Sequence, residues 1–288
     1  MKIILSRKGF DSGSGGVPSP ILPDGRLVSL PIPSKIDPHT YDQLSSNVVR
    51  MGRLVTDLTR GKVAGGNHCH LDPDLDPETL TRRVGWRPAF GQIDAAQQHL
   101  FRRGVTVGDL FLFFGWFRAV DEVGGRWRYI PGAPDLHVIF GWLHAGSIIP
   151  LYANRAIKVL LPYAEHPHLH GRDRPSNTLY IASEGLMVAG SRRPGGGVFT
   201  HLSDGRVLTD STQAMRSVWR LPAWVHPANG SILSYHEAPT RWRMGAADCI
   251  LSSAARGQEF VLVPRDPHAA DPWLLGIFAH SDSNDAPN

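Results

Sequence analysis

The sequence has few cysteines, no long apolar run and a modest share of charged residues. Two cysteines, Cys69 and Cys249, occur in 288 residues. This is too few for the disulfide framework of a small secreted domain and favours a cytoplasmic protein. No apolar stretch reaches the roughly 20 residues of a membrane-spanning helix, so no membrane association is expected. Charged residues make up 19% of the chain and hydrophobic residues 42%, which excludes extensive disorder and predicts a sizeable core.

The charge balance is mildly basic, with a formal net charge of +4. Most of the basic residues are arginines, which bind phosphate through paired hydrogen bonds and stack on bases. This composition fits a nucleic acid or nucleotide partner. A GC-rich genome would favour arginine in the same way, so the composition alone does not decide between the two explanations.

The apolar pattern predicts an α+β fold. We expect a β-rich single domain over residues 1–280, with a strongly curved, barrel-like sheet, two or three helices and a disordered tail at 281–288. Two apolar strands, 110–117 and 137–145, share the order Phe-Gly-Trp. Glycine in the middle of a buried strand marks a bulge or a tight bend. These two strands are therefore predicted to be neighbours in the curved sheet.

Capping residues and spacing predict two helices. One begins at Asp37-Pro38, which is a favourable helix start, and ends at Gly61. The other covers about 90–103 and ends at Gly104, where a C-terminal glycine belongs. The first helix is expected to pack on the core through an apolar stripe at helical spacing. That stripe consists of Leu44, Val48, Met51, Val55 and Leu58.

The segment from His68 to Asp74 carries four metal-ligand side chains at alternate positions, His68, His70, Asp72 and Asp74. Alternate residues of an extended chain point to the same face. Imidazole together with carboxylate suits Fe, Mn or Zn, and His70-x-Asp72 supplies two thirds of a facial triad for Fe(II). The same residues also suit a polar turn that caps a helix. We take His70 and Asp72 as candidate metal ligands.

The third ligand is sought among His144, His168, His201 and His236. We expect His236, because a strand-end histidine followed shortly by arginine suits an Fe(II) oxygenase. Arg241 or Arg243 would then hold the carboxylate of 2-oxoglutarate. The alternative is a core histidine with surface arginines. The separate run His166-x-His168-x-His170 lies among prolines and is interpreted as a solvated surface loop.

A glycine-rich loop at 6–16 follows the first predicted strand. Glycine lets backbone N–H groups approach a ligand, and Arg7 and Lys8 supply positive charge. A phosphate or carboxylate would suit this loop, although a flexible loop explains the same spacing. Active residues concentrate just past strand ends. We therefore expect Lys8 or Asp11 to lie across one cavity from the two predicted metal ligands.

Five segments of the chain carry a family resemblance. They are Ser6-Arg-Lys-Gly-Phe-Asp-Ser12 with the glycines and prolines that follow it, His70-Leu-Asp-Pro-Asp-Leu75, Gly108-Asp-Leu-Phe-Leu-Phe-Phe-Gly-Trp-Phe-Arg118, Ile139-Phe-Gly-Trp-Leu143 and Ala255-Arg-Gly-Gln-Glu-Phe260. Together they resemble the nucleotide modification associated domain 3 family, from Met1 to about Pro264. The resemblance implies a role in modifying nucleic-acid bases or in binding modified bases. It marks Lys8, Asp11, His70, Asp72 and Asp74 as family-type polar positions without assigning their roles.

These observations lead to one hypothesis and two alternatives. The hypothesis is a metal-dependent nucleic-acid base modification enzyme of the Fe(II)/2-oxoglutarate oxygenase type. The first alternative is a non-catalytic module with PUA-like strands that holds a modified base. The second is an enzyme acting on a free nucleotide, whose phosphate binds the glycine-rich loop. The hypothetical site comprises Lys8, Asp11, His70 and Asp72 as catalytic residues, His70, Asp72 and His236 as metal ligands, and Arg241 and Arg243 for the co-substrate.

Overall fold

The structure is a computed structural model that describes residues 1–45, 49–154 and 158–279. Its strands are β1 (Ile3–Arg7), β2 (Ser19–Ile21), β3 (Ile32–Pro33), β4 (Cys69–His70), β5 (Ala89–Gln92), β6 (Leu110–Val123), β7 (Arg126–Tyr129), β8 (Leu136–Pro150), β9 (Thr178–Ala182), β10 (Gly185–Val188), β11 (Ser191–Pro194), β12 (Gly196–Val198), β13 (Val218–Pro222), β14 (Ile232–Leu233), β15 (Trp242–Met244), β16 (Asp248–Ser252) and β17 (Glu259–Val263). Its α-helices are α1 (Met51–Leu58), α2 (Asp94–Arg102) and α3 (Asp271–Phe278). Short 3-10 helices occur at Tyr41–Gln43, Lys158–Tyr163, Pro167–Leu169, Asp204–Arg206, Ala223–Val225, Pro227–Asn229, Pro239–Arg241 and Pro267–Ala270.

One large sheet organises the molecule. Its strands follow the order β14-β17-β1-β6-β8-β9-β5, while β2 and β7 also pair with β6 and β12 pairs with β8. Strand β6 runs parallel to β1 and antiparallel to β8. Smaller sheets join β13, β16 and β15, β10 with β11, and β3 with β4. The described residues thus form the β-rich fold with few helices that the sequence predicts.

Strand β6 is apolar along most of its length because both of its faces are buried. Leu110, Leu112 and Phe114 pack into one core cluster, and Phe111 and Phe113 pack into another. Side chains alternate between the two faces of a strand, so a strand covered on both sides needs a continuous apolar run. The sheet therefore lies between two layers of core.

The two strands with the shared Phe-Gly-Trp order are neighbours, as predicted. Phe113 pairs with Gly141 and Phe114 with Ile139, so the register shifts by one residue at Phe140. A bulge of this kind bends the strand pair. The barrel-like closure is not confirmed, because the strand order of the described residues ends at β14 on one side and at β5 on the other.

The predicted helix that begins at Asp37 is wrong in its first part. A 3-10 helix at Tyr41–Gln43 replaces the helix start, and α1 begins only at Met51. Asp37 caps no helix there. Its carboxylate instead accepts hydrogen bonds from Arg172 and lies 2.9 Å from His70 Nδ1, and this use of the side chain outweighs its local capping preference.

The apolar stripe of the first helix is buried where the structure describes it. Its described members are Leu44, Met51, Val55 and Leu58. Val48 lies outside the described residues, as does the predicted tail at 281–288. The stripe packs with Tyr41 and Cys69 in a core cluster of its own, so β4 and α1 belong to the same cluster.

Helix α2 confirms the second predicted helix, although it begins later than expected. Phe90 belongs to β5, where it pairs with Tyr180 of β9. Gly104 follows the helix with a φ of +65°, a conformation that glycine adopts readily and that commonly ends helices. Among residues 1–45, 49–154 and 158–279, no helix is long and apolar enough to cross a membrane.

Candidate metal centre

His70, Asp72 and His168 converge beside β5. His70 ends β4, Asp72 follows two residues later, and His168 lies in the 3-10 helix Pro167–Leu169. The Nε2 atoms of His70 and His168 lie 3.9 and 3.8 Å from Asp72 Oδ2. One ligand atom of each residue lies within 4.8 Å of the other two. We call these three residues the metal group.

The separations within the metal group are close to those of ligands on a single ion. Two ligands bonded at about 2.1 Å in tetrahedral geometry lie roughly 3.4 Å apart. The two distances to Asp72 Oδ2 are within about half an ångström of this value. Two histidines and one carboxylate form the donor set that non-haem Fe(II) uses, and imidazole and carboxylate also suit Zn and Mn.

A buried carboxylate fixes the orientation of His70. The Nδ1 atom of His70 lies 2.9 Å from Asp37 Oδ2, and Arg172 donates to both Asp37 oxygens, at 2.6 and 3.0 Å. Burial raises the pKa of Asp37, but the hydrogen bonds from His70 and Arg172 outweigh burial and lower it. Arg172 Nη2 also lies 3.2 Å from His70 Nδ1. We assign the Nδ1 proton of His70 to the shorter contact with the ionised Asp37, and in this tautomer the Nε2 lone pair is free for a metal.

Asn177 orients His168 in the same way. The Nδ1 atom of His168 lies 2.7 Å from Asn177 Oδ1. The amide nitrogen of Asn177 donates to the carbonyls of His168 and Arg172, so its Oδ1 is the acceptor of the His168 proton. Gly91 leaves room for the ring, since a Cβ built there would lie 2.2 Å from its carbon atoms. The Nε2 lone pair of His168 therefore faces Asp72.

The two oxygens of Asp72 have different surroundings. Oδ1 accepts a 2.7 Å hydrogen bond from the backbone N–H of Gly91 and lies 3.5 Å from His166 Nε2. His166 Nδ1 accepts the backbone N–H of His168, so its proton is on Nε2 and His166 is a neighbour rather than a ligand. Oδ2 faces the lone pairs of His70 and His168. An anionic oxygen opposite two lone pairs is unfavourable unless a cation lies between them.

Burial sets the protonation states around Asp72. It lowers the pKa of His168 to about 4 and that of His166 to about 3, against the opposing effect of the Asp72 carboxylate. Burial raises the pKa of Asp72, but Coulombic attraction to His168, His70 and His166 in their protonated forms and to the Lys8 ammonium outweighs it and lowers that pKa. Neutral imidazole and ionised carboxylate are the forms that bind metal.

The other members of the predicted four-residue segment do not join the metal group. His68 is exposed. Asp74 accepts two hydrogen bonds from Arg82, at 2.7 and 2.6 Å, and burial raises its pKa to about 6 although Arg82 opposes this shift. The expectation that all four side chains share one face is wrong, because β4 ends at His70 and the backbone of Asp74 pairs instead with Ala89.

The structure does not bring His236 to the metal group. Its Nδ1 lies 2.8 Å from the Ser234 carbonyl, and its Nε2 accepts the backbone N–H of Ala254 at 2.9 Å, so both ring nitrogens are engaged. His168 occupies the position expected for His236. Arg241 donates to the Ser252 carbonyl, and Arg243 is exposed on β15 in the small sheet with β13 and β16. The described contacts thus place neither arginine at the metal group.

His236 nevertheless predicts a pH dependence of stability. It is completely buried, and burial lowers its pKa to about 4, although the bond to Ser234 opposes this shift. Because the unfolded chain titrates near 6.5, stability is complete above that pH and falls as the pH drops toward 4, by about 2–3 kcal/mol. In His236→Gln this part of the loss should disappear from urea unfolding curves measured between pH 7 and 4. The assignment would be contradicted if the difference in unfolding free energy between the wild type and His236→Gln stayed the same from pH 7 to pH 4.

Lys8 lies near the metal group in a buried ion pair. Its Nζ is 3.0 Å from Glu259 Oε1 and 4.4 Å from the centre of the Phe90 ring. The same Glu259 oxygen accepts hydrogen bonds from Ser6 and Gln92, whereas Oε2 of Glu259 is buried and has no hydrogen-bond partner among the described residues. Since the charge of Lys8 lowers the pKa of the metal group's carboxyl, this residue lies within electrostatic reach of Asp72, and its place across a cavity from the metal ligands stays a prediction.

Asp11 has a different local role. Its Oδ1 accepts the backbone N–H groups of Gly13 and Ser14, at 2.8 and 2.6 Å. This is the hydrogen bonding of an aspartate that stabilises its own turn. Asp11 therefore shapes the glycine-rich loop and lines a pocket with Arg7, so its predicted place across a cavity from the metal group remains an expectation.

A pocket of about 110 Å³ borders Asp72. Its walls are mostly apolar and include Leu75 and Phe140, while Ser29 and Thr79 add hydroxyl groups. An apolar cavity of roughly 150 Å³ holds a benzene ring. The pocket is thus close to the size of one aromatic ring, and of the metal group only Asp72 lines it.

A model of the family described as nucleotide modification associated domain 3 matches residues 2–263. The chain belongs to this family. The matched region runs from β1 through β17 and contains the metal group, Lys8 and Glu259, so these residues are part of the nucleotide modification associated domain itself. Comparison with curated proteins and with solved structures found no match.

Sequence patterns within the domain do not reveal Asp37 and Asn177, which orient the ligands. Asp37 stands before Pro38, and this pair is equally typical of a helix start. The run of histidines at 166–170 was the available signal for His168. Its interpretation as a solvated loop is wrong for His166 and His168, which are only 4% and 3% exposed.

Replacing Asp37 by asparagine should weaken metal binding by the domain about 10- to 100-fold, because second-shell carboxylates hold a ligating histidine in its binding tautomer. The dissociation constant for Co²⁺, measured by competition with a chelating dye, checks this. Asp24→Asn is the control, since Asp24 also pairs with an arginine but lies on the surface. Equal affinities of the two variants would show that Asp37 does not act through His70.

Proposed function

We propose that this member of the nucleotide modification associated domain 3 family is a metal-dependent enzyme that modifies a nucleic-acid base or a nucleotide. The observation that supports it most is the convergence of His70 Nε2 and His168 Nε2 on Asp72 Oδ2, at 3.9 and 3.8 Å. With the Nδ1 protons of His70 and His168 assigned to Asp37 and Asn177, neither histidine donates a hydrogen bond to this oxygen. A divalent ion would satisfy all three atoms at once.

The donor set is that of a 2-His-1-carboxylate site, with His168 in place of His236 as the third ligand. An ion held there supplies Lewis-acid chemistry or, as Fe(II), redox chemistry. The oxygenase hypothesis thus keeps its metal-binding part. It loses its proposed 2-oxoglutarate anchor, because Arg241 and Arg243 lie with the small sheet of β13, β15 and β16, so we propose no co-substrate.

The chain's own groups would position the substrate. The pocket beside Asp72 accepts one aromatic ring, and its apolar walls, including Leu75 and Phe140, would exclude water from the reacting atoms. Lys8 places a buried ammonium within electrostatic reach of Asp72, where it would stabilise negative charge that develops on a bound base. These roles are compatible with a base as the substrate.

Nucleoside analysis tests the proposed function. The protein and its Asp72→Asn variant are produced in cells of the native host that lack the chromosomal copy. DNA, RNA and the nucleotide pool are then digested to nucleosides and compared by mass spectrometry. We expect a nucleoside whose amount depends on the wild-type protein and not on the variant. Identical nucleoside profiles with a metal-loaded wild-type protein would contradict enzymatic modification and favour a non-catalytic base-binding module.

A further inference from the structure

A second and larger pocket lies where the glycine-rich loop meets the segment before β13. Its volume is about 570 Å³, within the range of small-molecule sites. Arg7 and Arg216 line it together with Trp116, and the carboxylates of Asp11 and Asp135 lie on its wall. We call it the arginine pocket.

Arg7 lines the arginine pocket and forms no ion pair with a carboxylate of residues 1–45, 49–154 or 158–279. Its two terminal nitrogens donate to the carbonyls of Ala255 and Ala254, at 2.9 and 2.8 Å. Its Nε is buried and makes no hydrogen bond within the described part of the chain. Asp11 lies near enough to raise the pKa of Arg7 against burial, but its Oδ1 is already bound by the loop backbone.

Arg216 brings a second guanidinium to the same pocket. Its Cζ lies 4.2 Å from the centre of the Trp116 ring, and its Nη2 makes a long hydrogen bond of 3.4 Å to Ser12 Oγ. The indole N–H of Trp116 is buried without a partner among the described residues. Arg7 and Arg216 line the same pocket, and the charge of Arg216 lowers the pKa of Arg7.

We propose that Arg7 and Arg216 bind the phosphate of a nucleotide or of a nucleic acid strand in the arginine pocket. Guanidinium forks match the geometry of phosphate oxygens, and Arg7 and Arg216 line one space where their terminal nitrogens bind carbonyls and a hydroxyl rather than a carboxylate of the described residues. Asp11 and Asp135 would repel a bare anion but accept hydrogen bonds from sugar hydroxyls and base amino groups. The pocket therefore fits a phosphate that carries a nucleoside.

None of the three metal-group residues lines the arginine pocket, although Lys8 does, so this proposal does not rest on the proposed function. Arg7 and Lys8 are consecutive at the end of β1, and consecutive strand residues point to opposite faces. The guanidinium of Arg7 lies over Phe114 and Phe260, whereas the ammonium of Lys8 lies over Phe90. These rings belong to core clusters on opposite sides of the sheet.

Binding by the full chain in EDTA tests the proposal without involving the metal group. The probes are deoxyadenosine 5′-monophosphate, measured by calorimetry, and a short fluorescent oligothymidylate, measured by anisotropy. Arg216→Gln should weaken binding of at least one phosphate probe about tenfold or more, as expected for loss of a charge-assisted hydrogen bond. Arg102→Gln, an exposed arginine on α2, should bind as the wild type does.

The outcomes of this experiment separate the two phosphate sources. If only the mononucleotide binds, the ligand is a free nucleotide. If the oligonucleotide binds, and the salt dependence of its binding decreases by about one ion in Arg216→Gln, the ligand is a nucleic acid strand. Deoxyadenosine without phosphate should bind much more weakly than its monophosphate. The proposal is overturned if neither phosphate probe binds, if deoxyadenosine binds equally well, or if Arg216→Gln, with an unchanged melting temperature, binds like the wild type.

Discussion

Replacement of His168 by alanine is expected to abolish stoichiometric metal binding. His168 supplies one of three ligand atoms, and loss of a ligand should cost more than the 10- to 100-fold that loss of a second-shell partner costs. The same result is expected for His70→Ala. Metal content after incubation with Fe²⁺ under anaerobic conditions, or with Co²⁺ or Zn²⁺, should fall from about one ion per chain to near zero in each variant.

His170→Ala is the matched control for this measurement. His170 lies two residues after His168, but its Nε2 is 2.7 Å from the Ala164 carbonyl and it is not a member of the metal group. This variant should keep its metal, and circular dichroism should show that all variants are folded. Equal metal content in His168→Ala and the wild type would remove His168 from the site.

Removal of Lys8 is expected to have the largest effect on stability. Lys8 and Glu259 form an ion pair whose side chains are 9% and 1% exposed. Lys8→Met would leave the Glu259 carboxylate buried without its cation, and such a loss typically costs about 3–5 kcal/mol. The free energy of unfolding in urea at pH 7 measures the loss.

Two further variants identify the cause of that loss. Lys8→Met combined with Glu259→Gln should recover a large part of the stability, because no uncompensated charge remains. Arg103→Gln removes one partner of a surface pair with Glu237 and should cost less than about 1 kcal/mol. If Lys8→Met cost as little as Arg103→Gln, the Lys8–Glu259 pair would not be a buried structural charge pair.

The parts of the fold that follow from local pattern were predictable. Strands β6 and β8 have continuous apolar runs, and α2 has periodic apolar residues and a terminal glycine, so each is evident within its own segment. The closure of the sheet was not predictable, because it depends on which strands form its edges. The predicted start of the first helix was wrong because the Asp37 carboxylate binds Arg172 and His70, two residues that are distant from it in sequence.

The candidate site shows the same limit. His70 and Asp72 were predicted because they are two residues apart, and Lys8 because it follows the first strand. His168 was considered, but a distal ligand has no fixed spacing from the others, and a run of histidines among prolines is also typical of a surface loop. Asn177 and Glu259 gain their roles only through the pairing of β5 with β9 and of β1 with β17.

The most direct test of the metal centre is a crystal structure of the protein grown with Co²⁺, with anomalous diffraction recorded at the cobalt edge. The account predicts one strong anomalous peak at about 2.1 Å from His70 Nε2, Asp72 Oδ2 and His168 Nε2, with His70 Nδ1 still on Asp37 and His168 Nδ1 still on Asn177. A fully occupied ion bound elsewhere, with this group empty, or a hydrogen bond between Asp72 Oδ2 and a protonated histidine in place of the ion, would contradict it.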